Sequence, residues 1–401
     1  MDFLFFTLTY WAEDLWQAWH QIAACLAKDH KVLFVSPPVS FREAFGELKG
    51  RKLPKSGLQY RGNGLYTLVF PKYLSDVYRF PRLQRVIVSL RNRHVRRIMK
   101  KHGFGDVVLF IWHPRLFGLL GKFGEVLTCF YSVDEFTDYP GVSEAAKELL
   151  VQQEDTLLHD VDVVLANGPA LFEVKNRYGN AVDIPMAADF ELYSKGGLPE
   201  TPVPRDLAGV PHPRIGYIGN LNDKVDFRLL RALSEARPNW SLILVGPMNV
   251  RTTESAAVVD LLKALPNVFL LGAKPRESLP GYVKGLDVCL ISYRMEGAWA
   301  RYIYPLKLHE YLAAGKPVVA CPIRSLRDFT HVLRIASTTE EWLQSIEDAL
   351  NEHDSVLVQK RIQVAFENRV EERIRKIQAI FEQKIREKRG QSPAPLKGGL
   401  A

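Results

Sequence analysis

Between residues 305 and 320 the chain reads PLKLHEYLAAGKPVVA, and two of its side chains could do chemistry together. Pro305 suits the first turn of a helix, where its missing N–H goes unused. Gly315 supplies a left-handed stop and Pro317 blocks continuation. The pattern predicts a helix of about three turns from Pro305 to Ala314, followed by an apolar strand over Pro317–Cys321. Lys307, Glu310 and Ala314, at i, i+3 and i+7, fall on one face of that helix. A glutamate there can accept two hydrogen bonds from a ribose diol, and a lysine with the helix dipole favours a phosphate. Spacing alone leaves a solvated Lys–Glu ion pair equally open.

Two further candidates stand at the carboxyl ends of apolar runs, where cleft residues of parallel sheets belong. His113 ends VVLFIWHP and could orient a ligand hydroxyl, while Asp134 ends TCFYSVDE and could bind ligand hydroxyls. A turn histidine before Pro114 and a helix-capping aspartate are the alternatives. Gly219-Asn220, after the run RIGYI, would let backbone approach a diphosphate closely. The DVD triplet at 160–162 leads into an apolar run and reads as a capping and turn cluster.

The elements that must carry these residues alternate. Phe3–Thr9, Lys31–Ser36, Val107–Trp112, Val126–Ser132 and Val163–Ala166 are continuous apolar runs, as strands buried on both faces should be. Helical stretches such as Asp14–Lys28 and Ser143–Leu158 lie between them, and Gly62 and Gly64 break Leu58–Pro71 into a hairpin. The alternation restarts after a proline- and glycine-rich stretch. Arg214–Ile218, Ser241–Val245, Val268–Gly272, Asp287–Ser292 and Pro317–Cys321 then read as strands. Phe227–Ala236, Ser255–Leu265 and Ser278–Lys284 read as helices. The expected fold is α/β, with two Rossmann-like doubly wound domains facing across a cleft. The expected divisions are an N-terminal domain over 1–195, a linker over 196–213 and a C-terminal domain over 214–350. One long helix over 354–389 and a flexible tail over 390–401 complete the chain.

PLKLHEYLAAGKPVVA resembles the nucleotide-sugar motif of the retaining glycosyltransferases of family four, which have the GT-B fold of two Rossmann-like domains. The subgroup it most resembles is that of teichuronic-acid biosynthesis glycosyltransferases. SYRMEGAWARYIYP before the motif, GYIGNLNDKVDF at 216–227, YSVDEFTDYPG at 131–141 and LANGPALFE at 165–173 extend the resemblance. It implies an N-terminal acceptor domain and a C-terminal donor domain, with Glu310 on the donor ribose. Gly219, Asn220, Glu296, Arg301 and Leu306 complete the implied donor-binding set. The chain departs from the family at two places. Tyr302 stands eight positions before Glu310, where the family has a glutamate; either Glu296, fourteen positions before Glu310 and brought in by an inserted loop, takes that role, or the role is lost. Asn220 stands where the family has an arginine, leaving the diphosphate to Lys307 first and Lys224 second, with Arg301 or Arg294 as further cations.

Composition bounds the rest. With 401 residues, 47% of them apolar and 24% charged, the chain is ordinary for a soluble protein and long enough for two cores. No apolar run reaches the length of about 20 residues that a membrane span needs. MDFLFFTLTYW reads as a first strand rather than a leader, because Asp2 replaces a basic start and Glu13-Asp14 follow. The four cysteines are scattered, three of them in apolar runs. They suggest reduced, buried thiols and cytoplasmic residence rather than zinc or disulfides. The net charge of +8 is concentrated: residues 77–105 hold seven arginines and two lysines and no acidic residue. Apolar residues Leu83, Val86, Ile87, Leu90, Val95, Ile98 and Met99 predict a docked helix with its arginines outward. Without an aromatic platform, residues 79–101 fit an anionic membrane surface better than nucleic acid. A solubilising face is the plainer alternative.

The reading that follows is a glycosyltransferase moving a sugar from a nucleotide-diphosphate donor to a polysaccharide, lipid-linked or other glycan acceptor. By resemblance it would act with retention. With lysines supplying positive charge it would need no metal, and no cofactor beyond its donor substrate. Its expected place is cytoplasmic, peripheral at the inner face of the cell membrane. A nucleotide-sugar epimerase of the same fold and a non-catalytic nucleotide-sugar binding protein are the alternatives.

Overall fold

A computed structural model describes residues 1–11, 17–39, 55–77, 80–138 and 143–390. The start of the expected helix at Asp14, Glu13, Arg79 of the basic stretch and residues 391–401 of the expected tail lie outside them. The chain divides into two compact units. One comprises Met1–Ile184 with the chain from Ile374 onward, the other Pro185–Arg373.

The first unit is built on an eight-stranded sheet. Its strands are β1 (Asp2–Phe6), β2 (Val32–Val35), β3 (Gly57–Gly62), β4 (Leu65–Val69), β5 (Val107–Ile111), β6 (Leu127–Ser132), β7 (Val163–Ala166) and β8 (Ala181–Asp183). They run in the order β3-β4-β2-β1-β5-β6-β7-β8, all parallel except the β3–β4 hairpin. Asn63, between two positive-φ glycines, turns that hairpin. The chain winds outward from β1 through β2 and then returns to β5 on the other side, so the topological switch lies between β1 and β5. Helices α1 (Ala18–Leu26), α2 (Pro81–Lys101), α3 (Glu144–Asp160) and α4 (Pro169–Lys175) connect the strands. The central strands are fully buried because side chains on both of their faces are apolar, and Phe5 stacks on Phe110 at 4.7 Å. Asp162 of the DVD triplet is a turn residue: its carboxylate accepts from the Thr128 N–H and hydroxyl, tying the start of β6 to that of β7.

The second unit has a six-stranded parallel sheet and a two-stranded one. Its strands are β9 (Arg214–Ile218), β10 (Leu221–Asn222), β11 (Ser241–Val245), β12 (Met248–Asn249), β13 (Val268–Gly272), β14 (Val288–Ile291), β15 (Val318–Ala320) and β16 (Arg334–Ile335). The large sheet runs β13-β11-β9-β14-β15-β16, with its switch between β9 and β14. Helices α5 (Phe227–Ala236), α6 (Thr253–Lys263), α7 (Leu279–Gly285), α8 (Lys307–Ala313), α9 (Thr339–Leu350) and α10 (Ser355–Glu367) flank it. The last helix, α11 (Val370–Lys388), starts in this unit and continues into the first, where Phe381 packs against Phe3 and Phe110.

Three expectations change. Residues 196–213 are not a linker, since the division falls at Ile184/Pro185 and these residues pack into the second unit. Leu207 is wholly buried, Lys284 Nζ donates to the carbonyls of Leu198, Pro199 and Thr201, and Arg214 donates to those of Ala208 and Val210. Prolines and glycines remove periodicity, but two basic side chains satisfy the irregular backbone. The helix over 354–389 is two helices. Asn368 caps α10, Arg369 pairs with Ala188 as an isolated bridge, and the Val370 N–H donates to the Ala188 carbonyl, so the chain turns before α11. On α2 only Ile87, Val95, Ile98 and Met99 of the seven apolar residues are buried, together with Arg91, which pairs with Asp76. Leu83, Val86 and Leu90 face outward. Among the described residues no helix is long and apolar enough to cross a membrane.

Candidate active site

The carboxyl ends of β9 and β14, at the switch of the second sheet, are held together by their own backbones. The segment after β9 and the one after β14 form an antiparallel bridge at Val225 and Tyr293. Asp226 N–H donates to the Ser292 carbonyl and Arg294 N–H to that of Lys224, each at 2.9 Å. Gly219 follows β9 with φ +147°, and a Cβ there would lie 3.1 Å from Lys307 Nζ. Gly246 follows β11 with φ +142°, and a Cβ there would meet the Gly219 carbonyl oxygen at 1.9 Å. Glycine at both positions lets the two strand ends and the lysine close up.

Helix α8 is docked onto this point by Tyr311. Its hydroxyl accepts from the Ile218 N–H at 2.8 Å and lies 3.3 Å from the Ile218 carbonyl, at the end of β9. Leu308, His309 and Leu312 are buried beside it, which turns Lys307 and Glu310 to the remaining face. Gly315 stops the helix at φ +72° as its spacing predicts, although the α-helical turns start at Lys307 rather than Pro305. Leu306 holds the N-cap position, and its carbonyl accepts from the N–H groups of His309 and Glu310.

Lys307 sits between aromatic rings. Its Nζ donates to the Tyr293 hydroxyl at 2.7 Å and lies 4.6 Å from the Tyr217 ring centroid and 5.1 Å from that of Tyr293. Burial opposes its charge, but the electrostatic pull of Tyr217, Tyr293 and Tyr311 outweighs burial and raises its pKa, so the ammonium is retained. One turn on, burial pushes the Glu310 carboxyl above the usual carboxylate range, against the pull of Lys307, a hydrogen bond from Tyr193 and the more distant Arg276. Arg276 is itself ion-paired with Asp189. A fixed cation against glycine backbone, with a carboxylate a turn away, is chemically suited to a ligand carrying phosphate at one end and hydroxyls at the other.

The other expected donor residues are spread around this centre. Lys224 Nζ lies 5.3 Å from the Trp299 ring. Exposed Asn220 accepts from Asn249 Nδ2 at 2.7 Å, and exposed Arg301 lies over the Tyr302 ring. Glu296 is exposed and bound to Arg294 at 2.8 Å, which holds its carboxyl below the ordinary range. Glu296, Arg294 and Tyr293 line a cavity of about 590 Å³ that also includes Asp226, Glu254 and Trp342, but not Lys307 or Glu310. The structure thus brings together Gly219, Lys307 and Glu310. It adds Tyr217, Tyr293 and Tyr193, which sequence reasoning missed. Tyr293 carried a usable signal, standing just past a strand that ends at the switch; Tyr193 is too remote in sequence to have given one.

In the first unit, His113 and Asp134 stand past the carboxyl ends of the neighbouring strands β5 and β6. His113 Nδ1 accepts from the Arg115 N–H at 3.2 Å, and its ring lies 4.4 Å from Phe136. Burial, with Arg115 adding to it, lowers its pKa to about 4. It therefore caps the turn after β5 as a neutral ring. Asp134 is half-buried. The next residue, Glu135, is held by the wholly buried Lys175 at 2.6 Å, and Glu154 by the same lysine at 2.7 Å, which fixes the segment carrying Asp134.

With this geometry in hand, the comparisons with known proteins bear on the second unit most directly. Residues 212–352 match the family model described as glycosyl transferases group 1. Over 138 residues the chain is 31% identical to the teichuronic acid biosynthesis glycosyltransferase TuaH of Bacillus subtilis, covering 34% of this chain. That match spans about a third of the relative's length, 33%. Among solved structures, sucrose-phosphate synthase from Thermosynechococcus elongatus superposes with a TM-score of 0.64 at 16% identity, covering 91% of this chain and 92% of the other. Anabaena HepE, solved with UDP and glucose, superposes with a TM-score of 0.66 at 14% identity, covering 95% and 99%. The chain has the GT-B fold.

Proposed function

We propose that the protein is a glycosyltransferase that moves a sugar from a nucleotide-diphosphate donor to a polysaccharide, lipid-linked or other glycan acceptor, with retention at the anomeric carbon. The observation that carries this reading is the place of Lys307, at the switch between β9 and β14, against Gly219 and one turn from Glu310. Glu310 receives the ribose diol and Lys307 the diphosphate, with Lys224 as a second cation. As the anomeric carbon–oxygen bond to the diphosphate breaks, negative charge gathers on the departing phosphate, where a preformed ammonium is most effective. The acceptor hydroxyl forms the new bond on the same face, and its proton passes to the leaving phosphate oxygen. His113 and Asp134 bind the acceptor in this scheme, and lysines supply the charge that a metal supplies elsewhere.

The family match over 212–352 and the likeness to TuaH support the reaction class, and the relative's name, which assigns it to teichuronic acid biosynthesis, supports a cell-envelope acceptor. HepE, solved with UDP and glucose, supports a nucleotide sugar as donor. The basic segment 79–101 supports a cytoplasmic protein working at an anionic membrane surface. The test is a transfer assay across uridine and guanosine diphosphate sugars with a glycan or lipid-linked acceptor. Transfer that is lost in Lys307→Ala is expected. Donor isomerisation without transfer would favour an epimerase, and binding without either would favour a non-catalytic protein.

A further inference from the structure

Helix α2 is apolar on two faces, and among the described residues only one of them is covered. Ile87, Val95, Ile98 and Met99 are buried, while Leu83, Val86 and Leu90, at i, i+3 and i+7, are 49, 54 and 44% exposed. Phe80 at the N-cap is 63% exposed. Tyr73, from the 3₁₀ turn Lys72–Leu74 that packs against α2, is 73% exposed. Helical spacing continues the outward stripe through Arg93 and Arg97. Arg82, Arg85, Arg96, Lys100 and Lys101 are exposed around it. Single exposed leucines are ordinary, but a row of them rimmed by cations marks an interaction surface.

The chemistry of the rim selects the occupant. No Asp or Glu occurs from 77 to 105, so the covering surface must be negative, and the apolar stripe asks that it also have an accessible hydrocarbon layer. Nucleic acid offers phosphates but nowhere to bury Leu83, Val86 and Leu90. An anionic bilayer offers both. We propose that α2 is an interfacial membrane helix, in which Phe80, Leu83, Val86 and Leu90 enter the acyl boundary of an anionic leaflet while Arg93, Arg97, Lys100 and Lys101 rest on its headgroups. This rests on the membrane-surface location in the reading above, and changes its basis from charge attraction alone to insertion.

Co-sedimentation of the full chain with vesicles tests it, using phosphatidylcholine alone and phosphatidylcholine with about a third phosphatidylglycerol. Wild-type protein is expected to prefer the anionic vesicles at least about tenfold at low salt and to keep a measurable bound fraction at about 1 M salt, where the screening length is about 3 Å. The triple change Leu83→Ser, Val86→Ser, Leu90→Ser should lose that salt-resistant fraction with an unchanged melting temperature, the three residues being exposed. Arg93→Glu with Arg97→Glu should lose the anionic preference. Binding that vanishes at high salt and ignores the serine changes would overturn insertion while leaving the membrane location standing. No vesicle binding, or tighter binding to duplex DNA or RNA, would overturn both. Donor binding, measured separately by calorimetry, reports on the transferase reading independently.

Discussion

Lys307 Nζ and Tyr293 Oη are 2.7 Å apart, and this one hydrogen bond joins helix α8 to the segment after β14 at the sheet's switch point. It holds a charged lysine at the joined ends of β9 and β14, with the Gly219 backbone beside it. The relationship makes Tyr293 a positioning residue. Lys307→Ala should lower the transfer rate by about 10²–10³-fold, the usual cost of removing one charge-stabilising donor. Tyr293→Phe keeps the ring but removes the hydroxyl, and should cost no more than about tenfold. Steady-state kinetics on both variants would check the order; an equal loss in both would mean that Tyr293 does more than position.

Gly219→Ala should weaken nucleoside diphosphate binding by at least about tenfold, without unfolding the unit. The new methyl would stand 3.1 Å from Lys307 Nζ at a φ that side chains rarely adopt. Titration calorimetry beside a thermal melt separates lost binding from lost structure.

The raised pKa of Glu310 gives donor binding a pH signature. The carboxylate form accepts the ribose hydroxyls, so affinity should fall as pH drops through a range higher than an ordinary glutamate would give. Glu310→Gln should bind weakly and with a flat profile over the same range. Affinity measured from pH 4 to 8 checks this; a wild-type profile as flat as the variant's would contradict it.

Two buried histidines and a half-buried one should make the fold acid-sensitive. Burial lowers His20 and His113 to about 4 and His309 to about 3, all below the ordinary value of 6.5. Between pH 6.5 and about 4 the unfolded chain therefore binds protons that the folded chain does not, and stability falls as pH falls through that window. His309→Phe should flatten the slope of melting temperature against pH, while the loss of the contact to the Tyr304 hydroxyl lowers the melting temperature at pH 7.

Lys175→Met should destabilise the first unit by about 3–5 kcal/mol, because the buried Glu154 and the half-buried Glu135 would lose the ammonium they share. Chemical denaturation followed at pH 7 measures it. A double change that also replaces both glutamates by glutamine should recover much of the loss.

Much of this architecture was readable because strands buried on both faces are apolar throughout. Arg214–Ile218 and Ser241–Val245 match their apolar runs residue for residue, as does the half-buried edge strand Val268–Gly272. The motif helix was readable from punctuation, with Gly315 as its stop. The packed state of 196–213 was not, because it depends on Lys284 and Arg214 donating to carbonyls from other elements. The turn at Asn368-Arg369 was hidden for a similar reason: the pairing with Ala188 that draws the chain out of helix is remote in sequence. On α2 periodicity marked the apolar residues but could not say which would find a partner. At the site, Lys307 and Glu310 were visible from spacing. The tyrosines that cage the lysine and meet the glutamate come from three other segments, at Tyr193, Tyr217 and Tyr293.

The central claim is that α8 holds a nucleoside diphosphate, with Glu310 on the ribose and Lys307 on the phosphates. Titration calorimetry of UDP and GDP against the wild type, Lys307→Ala and Glu310→Ala tests it most directly. The account predicts saturable binding of one nucleotide to the wild type, weakened by at least about tenfold in each variant. Absence of binding by either nucleotide, or equal affinity in all three proteins, would contradict it.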